Sequence, residues 1–100
     1  MQITLMGAGF NPVKLFDASQ HKGKKYGLIF QVVSNIKVWL STNPTELQQL
    51  DKSGNPLGGI EFDGGATPTT PVLFTQFADQ VWAISSAQGA VNVFPYLREV

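Results

Sequence analysis

Seven carboxylates and one histidine are the side chains in this sequence best suited to acid–base chemistry. The carboxylates are Asp17, Glu46, Asp51, Glu61, Asp63, Asp79 and Glu99. Glu61 and Asp63 are two residues apart, so a β-strand would place both on one face, about 6–7 Å from each other. A glycosidase needs two carboxylates that face each other across a cleft, whereas Gly64 and Gly65 after Asp63 predict a turn. We therefore expect these carboxylates to be non-catalytic.

The sequence likewise predicts no metal, no cofactor and no enzyme activity. His21, the only histidine, lies in the polar stretch 19–25 and is interpreted as a solvated loop residue, because a general base needs an orienting partner and a nucleophile. With no cysteine in the chain, one histidine leaves too few ligands for a usual zinc site. Residues 51–55 lack the closing glutamate of a calcium loop. We interpret residues 51–55 as a turn, and Gly58 and Gly59 lack the further glycines of a nucleotide-binding motif.

Lys22, Lys24 and Lys25 form a dense group of cations near the N-terminal end. The chain carries seven Lys and Arg against seven Asp and Glu, so its formal net charge is zero. Nucleic-acid-binding proteins usually have a basic excess. We therefore interpret the lysines as a solvated loop or as a contact to an acidic patch on a neighbouring protein, and expect no nucleic-acid partner.

Length and hydropathy predict one soluble domain. The chain has 100 residues, of which 43% are hydrophobic, and this fits a single β domain spanning residues 1–100. Its apolar runs are far shorter than the roughly 20 residues of a membrane-spanning helix. The N-terminal residues lack the charged and apolar regions of a signal peptide. We expect synthesis in the cytoplasm and no membrane association.

The elements that position these side chains are predicted to be short strands, because apolar residues recur with a period of two. The predicted strands are 2–6, 13–16, 26–34, 36–41, 59–62, 72–77, 80–85 and 90–94. A turn at 34–35 predicts that strands 26–34 and 36–41 form a hairpin, and a turn at 86–89 predicts a second hairpin of strands 80–85 and 90–94. Asn43 as a cap and Pro44 at the first helical position predict at most one short helix, near 44–50. The predicted fold is all-β, a small antiparallel β-sandwich or barrel that is jelly-roll-like.

The aromatic residues are the main candidates for binding, since exposed tryptophans mark surfaces that contact sugars or proteins. The alternation leaves Trp39 with two possible positions, one at the surface or an interface and one in the core. For Trp82 it favours a core position shared with Ile84, with Ala83 and Ser85 outside.

The layout of residues 26–100 resembles that of small β-rich accessory proteins in the virions of tailed bacteriophages. The segment 27–41 is followed by a Gly/Pro/Thr-rich stretch, and 80–93 then adds an aromatic strand, a turn and alternating valines. Such an ending resembles those of capsid decoration, cement and related head or tail proteins. The resemblance implies an oligomer, often a trimer, that clamps a major capsid protein or another virion subunit. It implies a location in the virion, and in the host cytoplasm during assembly.

We therefore expect a non-enzymatic structural protein that binds other proteins through apolar and aromatic contacts. The predicted interface residues are Trp39, Phe74, Phe77, Phe94, Tyr96 and Leu97, with Lys22, Lys24 and Lys25 as a basic loop contact. The alternative is a small carbohydrate-binding β-sandwich module. That alternative requires two or three coplanar exposed rings with amide or carboxylate groups beside them.

Overall fold

A computed structural model describes residues 2–7, 11–17, 25–65, 72–77 and 80–98, and the side chains of all of these except 25, 26, 72–77 and 96–98. In chain order the elements are β1 (Gln2–Leu5), β2 (Val13–Asp17), β3 (Lys25–Val32), β4 (Lys37–Ser41), α1 (Pro44–Gln48), β5 (Ile60–Asp63), β6 (Val72–Phe77), β7 (Gln80–Ser85) and β8 (Gly89–Arg98). Each predicted strand and the predicted helix correspond to one of these elements. The largest difference is in β8, which continues well beyond the predicted end.

The strands form two antiparallel four-stranded sheets, which confirms the predicted all-β sandwich. Sheet A has the order β1-β8-β3-β6, and sheet B has the order β2-β7-β4-β5. The first strand pairs with the eighth, the second with the seventh, the third with the sixth and the fourth with the fifth. This is the strand order of a jelly roll, in which one long antiparallel ribbon is rolled into two facing sheets.

The two predicted hairpins are wrong. β3 and β4 lie in different sheets, as do β7 and β8, so both predicted turns are connections between the sheets. The usual two-residue hairpin turns require a positive φ angle. Ser34 and Asn35 do not close such a turn, since no non-glycine residue of the described ranges has a positive φ. The four strands pair crosswise instead, β3 with β8 and β4 with β7.

Each connection between the sheets bonds to the start of the strand that follows the other connection. The Val33 N–H donates to the Ala90 carbonyl at 3.0 Å, and the Ala90 N–H donates to Ser34 Oγ at 2.9 Å. The Ser86 N–H donates to the Lys37 carbonyl at 2.9 Å. These bonds hold the two connections close together, so that β3 lies beside β8 and β4 lies beside β7.

Apolar side chains at alternate positions fill the space between the two sheets. The buried set is Leu5, Leu15, Leu28, Phe30, Val32, Ile36, Val38, Leu40, Val81, Ala83, Val91 and Val93. Phe62 of β5 packs against this core, with its ring centroid 5.2 Å from that of Phe30. The faces that the alternation predicts for β3 and β8 therefore point into the core.

Helix α1 covers part of the outer face of sheet B. Leu47 is the buried residue of this helix, and it packs with Trp39 and Ile84. The Asn43 side chain accepts a hydrogen bond from the Thr45 N–H at 3.0 Å, as expected for an N-cap. Sheet B thus has apolar residues on both faces, whereas the outer face of an antiparallel sheet is commonly solvated.

The covered outer face explains where the tryptophans lie. Trp39 is only 5% exposed, so it belongs to the interior of the chain. Trp82 is half-buried against the same cluster and Ile84 is buried there, so both lie on the outer face of β7 and not, as predicted, on the face that points into the main core. Ala83 and Ser85 were predicted to lie outside, and this is wrong. Both are fully buried, because they share the inner face of β7 with the main core.

Candidate functional site

The outer face of sheet A carries an exposed cross-strand pair of apolar side chains. Phe94 on β8 is 54% exposed, and its register partner Ile29 on β3 is 38% exposed. Directly opposed residues on one face of a sheet contact each other. Helix α1 is the one helix among the described residues. It packs on sheet B, so it does not cover the outer face of sheet A. We call these two residues the Ile29–Phe94 pair.

Uncharged side chains surround the Ile29–Phe94 pair. The alternation of β1, β3 and β8 places five further described side chains on this face, which are Gln2, Thr4, Gln31, Ala90 and Asn92. Asn92 Nδ2 donates to Gln31 Oε1 at 3.0 Å, one step along the sheet from the pair. This part of the face can therefore contact another protein without removing water from an ion, which is the costly step in burying charge.

Five of the six predicted interface residues lie in strands of sheet A. Phe94 is exposed there, as an interface residue must be before binding. Phe74 and Phe77 lie in β6, and Tyr96 and Leu97 lie in β8, but their side chains are outside the described residues. The role of these five residues in an interface stays a prediction.

Trp39 does not join this surface, and most of the basic group lies outside the described residues. Helix α1 buries Trp39 on the other sheet, so the chain itself, rather than a partner, covers this indole. Lys22 and Lys24 lie outside the described residues. Lys25 begins β3 and is the register partner of Arg98, which puts two cationic residues at one end of sheet A.

Ile29 was not among the predicted interface residues. The sequence nevertheless contains a signal for it, since Ile29 lies between Leu28 and Phe30, which both point into the core. An apolar residue on the opposite face of such a strand faces solvent unless another element covers it. The alternation does not show whether another element of the fold covers that face.

A second cluster surrounds Trp82 on the outer face of sheet B. Trp82 Nε1 donates to Gln80 Oε1 at 3.2 Å, and Gln80 Nε2 donates to Asp17 Oδ2 at 3.2 Å. Lys14 Nζ pairs with the same Asp17 oxygen at 3.2 Å and lies 5.6 Å from the centroid of the Trp82 ring. An indole beside an amide and a carboxylate is a set that can bind a sugar, but here Lys14 lies over the ring on which a sugar would stack.

A cleft of about 310 Å³ opens where β4, α1 and β5 meet. Its lining is Leu40, Ser41, Thr42, Glu46, Gly59 and Ile60. Ser41 Oγ donates to Glu46 Oε2 at 2.7 Å and accepts from the Asn43 N–H at 3.0 Å. A serine nucleophile needs a base that is itself held by a third group, whereas these bonds join the end of β4 to the first turn of α1. The cluster is therefore a structural link at the helix start.

Residues 51–55 form a turn, as predicted. Asp51 Oδ1 accepts from the Ser53 N–H at 2.8 Å and from the Asn55 N–H at 3.0 Å, so the loop itself uses this carboxylate. Gly58 and Gly59 pack against α1, since a Cβ on either would lie 2.9 Å from a helix side chain.

The residues that the structure describes hold no metal-binding cluster and no membrane-spanning helix. These residues contain no group of three or more His, Asp or Glu side chains close enough to hold a metal ion. They contain no helix long and apolar enough to cross a membrane. His21 lies outside them.

Comparisons of the chain with protein-family models, with curated proteins and with solved structures found no significant match. The exposed face of sheet A is therefore the starting point for assigning a function.

Proposed function

We propose that this protein is a non-enzymatic structural subunit of a phage particle, which binds the capsid or tail surface as an oligomer through apolar and aromatic contacts. The Ile29–Phe94 pair carries the proposal, because it is apolar surface that the described part of the chain leaves uncovered. Full burial of a phenylalanine contributes about 1.5–3 kcal/mol, so the exposed half of Phe94 offers about 1 kcal/mol per contact. Repeated copies in an assembly multiply such a modest contribution.

The lack of charge around the pair supports a protein partner. The buried centres of protein interfaces are depleted in charged residues, and the seven described side chains of this face are all uncharged. The Gln31–Asn92 hydrogen bond already holds both amides in place beside the pair. A partner would therefore meet an ordered surface and would lose little entropy in fixing it.

The location in a phage particle is supported by the layout of residues 26–100. The jelly roll is an architecture that viral capsid proteins use, as do lectins and cupins. A shared fold does not assign a function, so the protein-binding part of the proposal depends on the sheet A face. The partner is a major capsid protein or another virion subunit, and the oligomer is a trimer. The protein acts in the virion and passes through the host cytoplasm during assembly.

The replacement of Phe94 by serine tests the proposal. We expect light scattering at several concentrations to show an oligomer that Phe94→Ser weakens by about tenfold, the equivalent of 1.4 kcal/mol. Leu57→Ser is the matched control, because Leu57 is 67% exposed on the loop before β5. Both variants should unfold at the wild-type temperature. A wild-type monomer at every concentration, or equal effects of the two variants, would contradict association through this face.

Carbohydrate binding is the alternative that the Trp82 cluster favours. This cluster supplies one indole, one amide and one carboxylate, but Lys14 must leave the ring before a sugar can stack on it. Lys14→Ala would then strengthen a sugar-dependent change in tryptophan fluorescence, and Gln80→Ala would weaken it. An unchanged emission spectrum in both variants across a panel of sugars would dismiss this alternative.

A further inference from the structure

Strand β5 is the regular edge of sheet B. It comes last in the sheet, and no described strand pairs with its second edge. Four consecutive pairs join it to β4 without a shift, whereas β2 at the other end of the sheet has a register shift between Lys14 and Phe16. Bulges and distortions blunt a sheet edge, while a regular edge is a template for another strand.

The register shows which backbone groups of β5 face outward. The Gly64 N–H donates to the Ile36 carbonyl at 2.8 Å, just beyond the last pair of the ladder. Hydrogen-bonded pairs alternate along an antiparallel ladder, so Phe62 also bonds to β4. The N–H and carbonyl groups of Glu61 and Asp63 then point to the open edge.

The bonds of β4 agree with this assignment. Lys37 is the register partner of Asp63, and its carbonyl accepts from the Ser86 N–H on the side of β7 at 2.9 Å. The backbone of Lys37 thus faces away from β5, as a non-bonded pair requires.

The side chains at the open edge carry excess negative charge. Glu61 and Asp63 are both exposed, and they share one face because they are two residues apart on the strand. Lys37 Nζ lies 3.6 Å from Glu61 Oε1, and Asp63 has no ion-pair or hydrogen-bond partner among the described side chains. One lysine against two carboxylates leaves a net negative charge beside the free backbone groups.

We propose that the open edge of β5 accepts an extended segment of a partner protein that has lysine or arginine at alternate positions. The backbone groups of Glu61 and Asp63 supply the hydrogen bonds of strand addition. Cations two residues apart on the added strand come to lie opposite the two carboxylates, and such cross-strand pairs are favourable. A second copy of β5 does not fit, because it would place carboxylates opposite carboxylates. This site goes beyond the proposed function, since it uses an edge of sheet B and not the face of sheet A.

The test uses the full-length protein and a labelled synthetic peptide that alternates lysine with valine. We expect saturable binding, with the amide exchange of Glu61 and Asp63 slowed about tenfold and that of Phe62 unchanged, because Phe62 is already bonded to β4. A peptide with glutamate in place of lysine should bind about tenfold more weakly, since like charges oppose each other across the strands. N-methylation of the peptide nitrogens that face β5 should weaken binding by about tenfold, since it removes hydrogen bonds.

The paired substitution of Glu61→Lys with Asp63→Lys should exchange the preference, so that the glutamate peptide binds more tightly than the lysine peptide. A misfolded variant would bind neither, and the exchange pattern of the wild-type protein then decides the question. Phe94→Ser should leave peptide binding unchanged, which separates this site from the proposed function. Equal binding of the N-methylated peptide, protection at another strand edge, or no binding of the lysine peptide would overturn the proposal.

Discussion

Replacing Leu47 with alanine tests whether helix α1 seals the outer face of sheet B. Leu47 is 0% exposed, and it is the buried residue of a helix that otherwise faces solvent. Its side chain packs with Trp39 and Ile84, so the truncation opens a gap directly over the indole.

The expected loss of unfolding free energy is about 3 kcal/mol. Truncation of a buried leucine to alanine costs about 2–5 kcal/mol, the sum of lost apolar burial and of the cavity left behind. Full burial of Leu47 argues against the low end of that range. The shortness of α1, with five residues, lets the helix move towards the sheet and close part of the cavity, which argues against the high end. About 3 kcal/mol corresponds to a fall of roughly 12–24 °C in Tm for a domain of this size.

The assay is urea unfolding followed by tryptophan fluorescence, with Leu57→Ala as the matched control. Leu57 is exposed, so its truncation should cost under about 0.5 kcal/mol. The native emission of Leu47→Ala should also shift to longer wavelength, because water reaches Trp39 through the gap.

A loss below about 1 kcal/mol, well under the range for a buried leucine, would refute the reasoning if the native emission is also unchanged. Trp39 would then not depend on the helix for its burial, and it would return to the set of candidate interface residues. A large loss with the expected emission shift would place Trp39 in the core by experiment.

Four further substitutions test local features of the fold. Gly64→Ala should lower the unfolding free energy by about 2 kcal/mol or more through overpacking, because the new Cβ would lie 2.6 Å from Val32 Cγ1, and equal Tm values for Gly64→Ala and Gly65→Ala would contradict this. Gly65→Ala meets no atom within 4 Å and should cost about 1 kcal/mol for its φ of 67°. Asn43→Ala should cost about 1 kcal/mol as a lost N-cap, and an unchanged urea midpoint would mean that the cap bond contributes nothing. Asp51→Ala frees two backbone N–H groups, so limited proteolysis should cut its loop faster than in the wild type, and equal rates would show that the carboxylate does not order the loop.

Local patterns in the sequence were sufficient to locate the elements. The period-two alternation identified the strands, because successive side chains of a strand point to opposite faces whatever the strand pairs with. The short helix was also predictable, since Asn43 and Pro44 satisfy the needs of a helix start from within the same few residues. The inward faces of β3 and β8 followed from the same alternation.

Strand pairing was not predictable in this way. The turn residues at 34–35 and 86–89 suggested two hairpins, but alternation tells only which face a residue occupies and not which strand lies beside it. The crosswise pairing arises from hydrogen bonds between residues far apart in the chain, such as Val33 with Ala90. Such bonds form only when the sheets come together around the shared core.

The candidate surface residues were likewise predictable from the sequence only in part. Phe94 was a predicted interface residue, it lies on the face of β8 opposite the valines, and it is exposed. Trp39 has an equivalent pattern on β4, yet it is buried, because α1 folds back over sheet B and nothing in the strand itself encodes that cover. The side of a strand on which a residue lies is a local property of the chain. Whether that side meets solvent depends on which other element packs there, and this distant contact is settled when the whole domain folds.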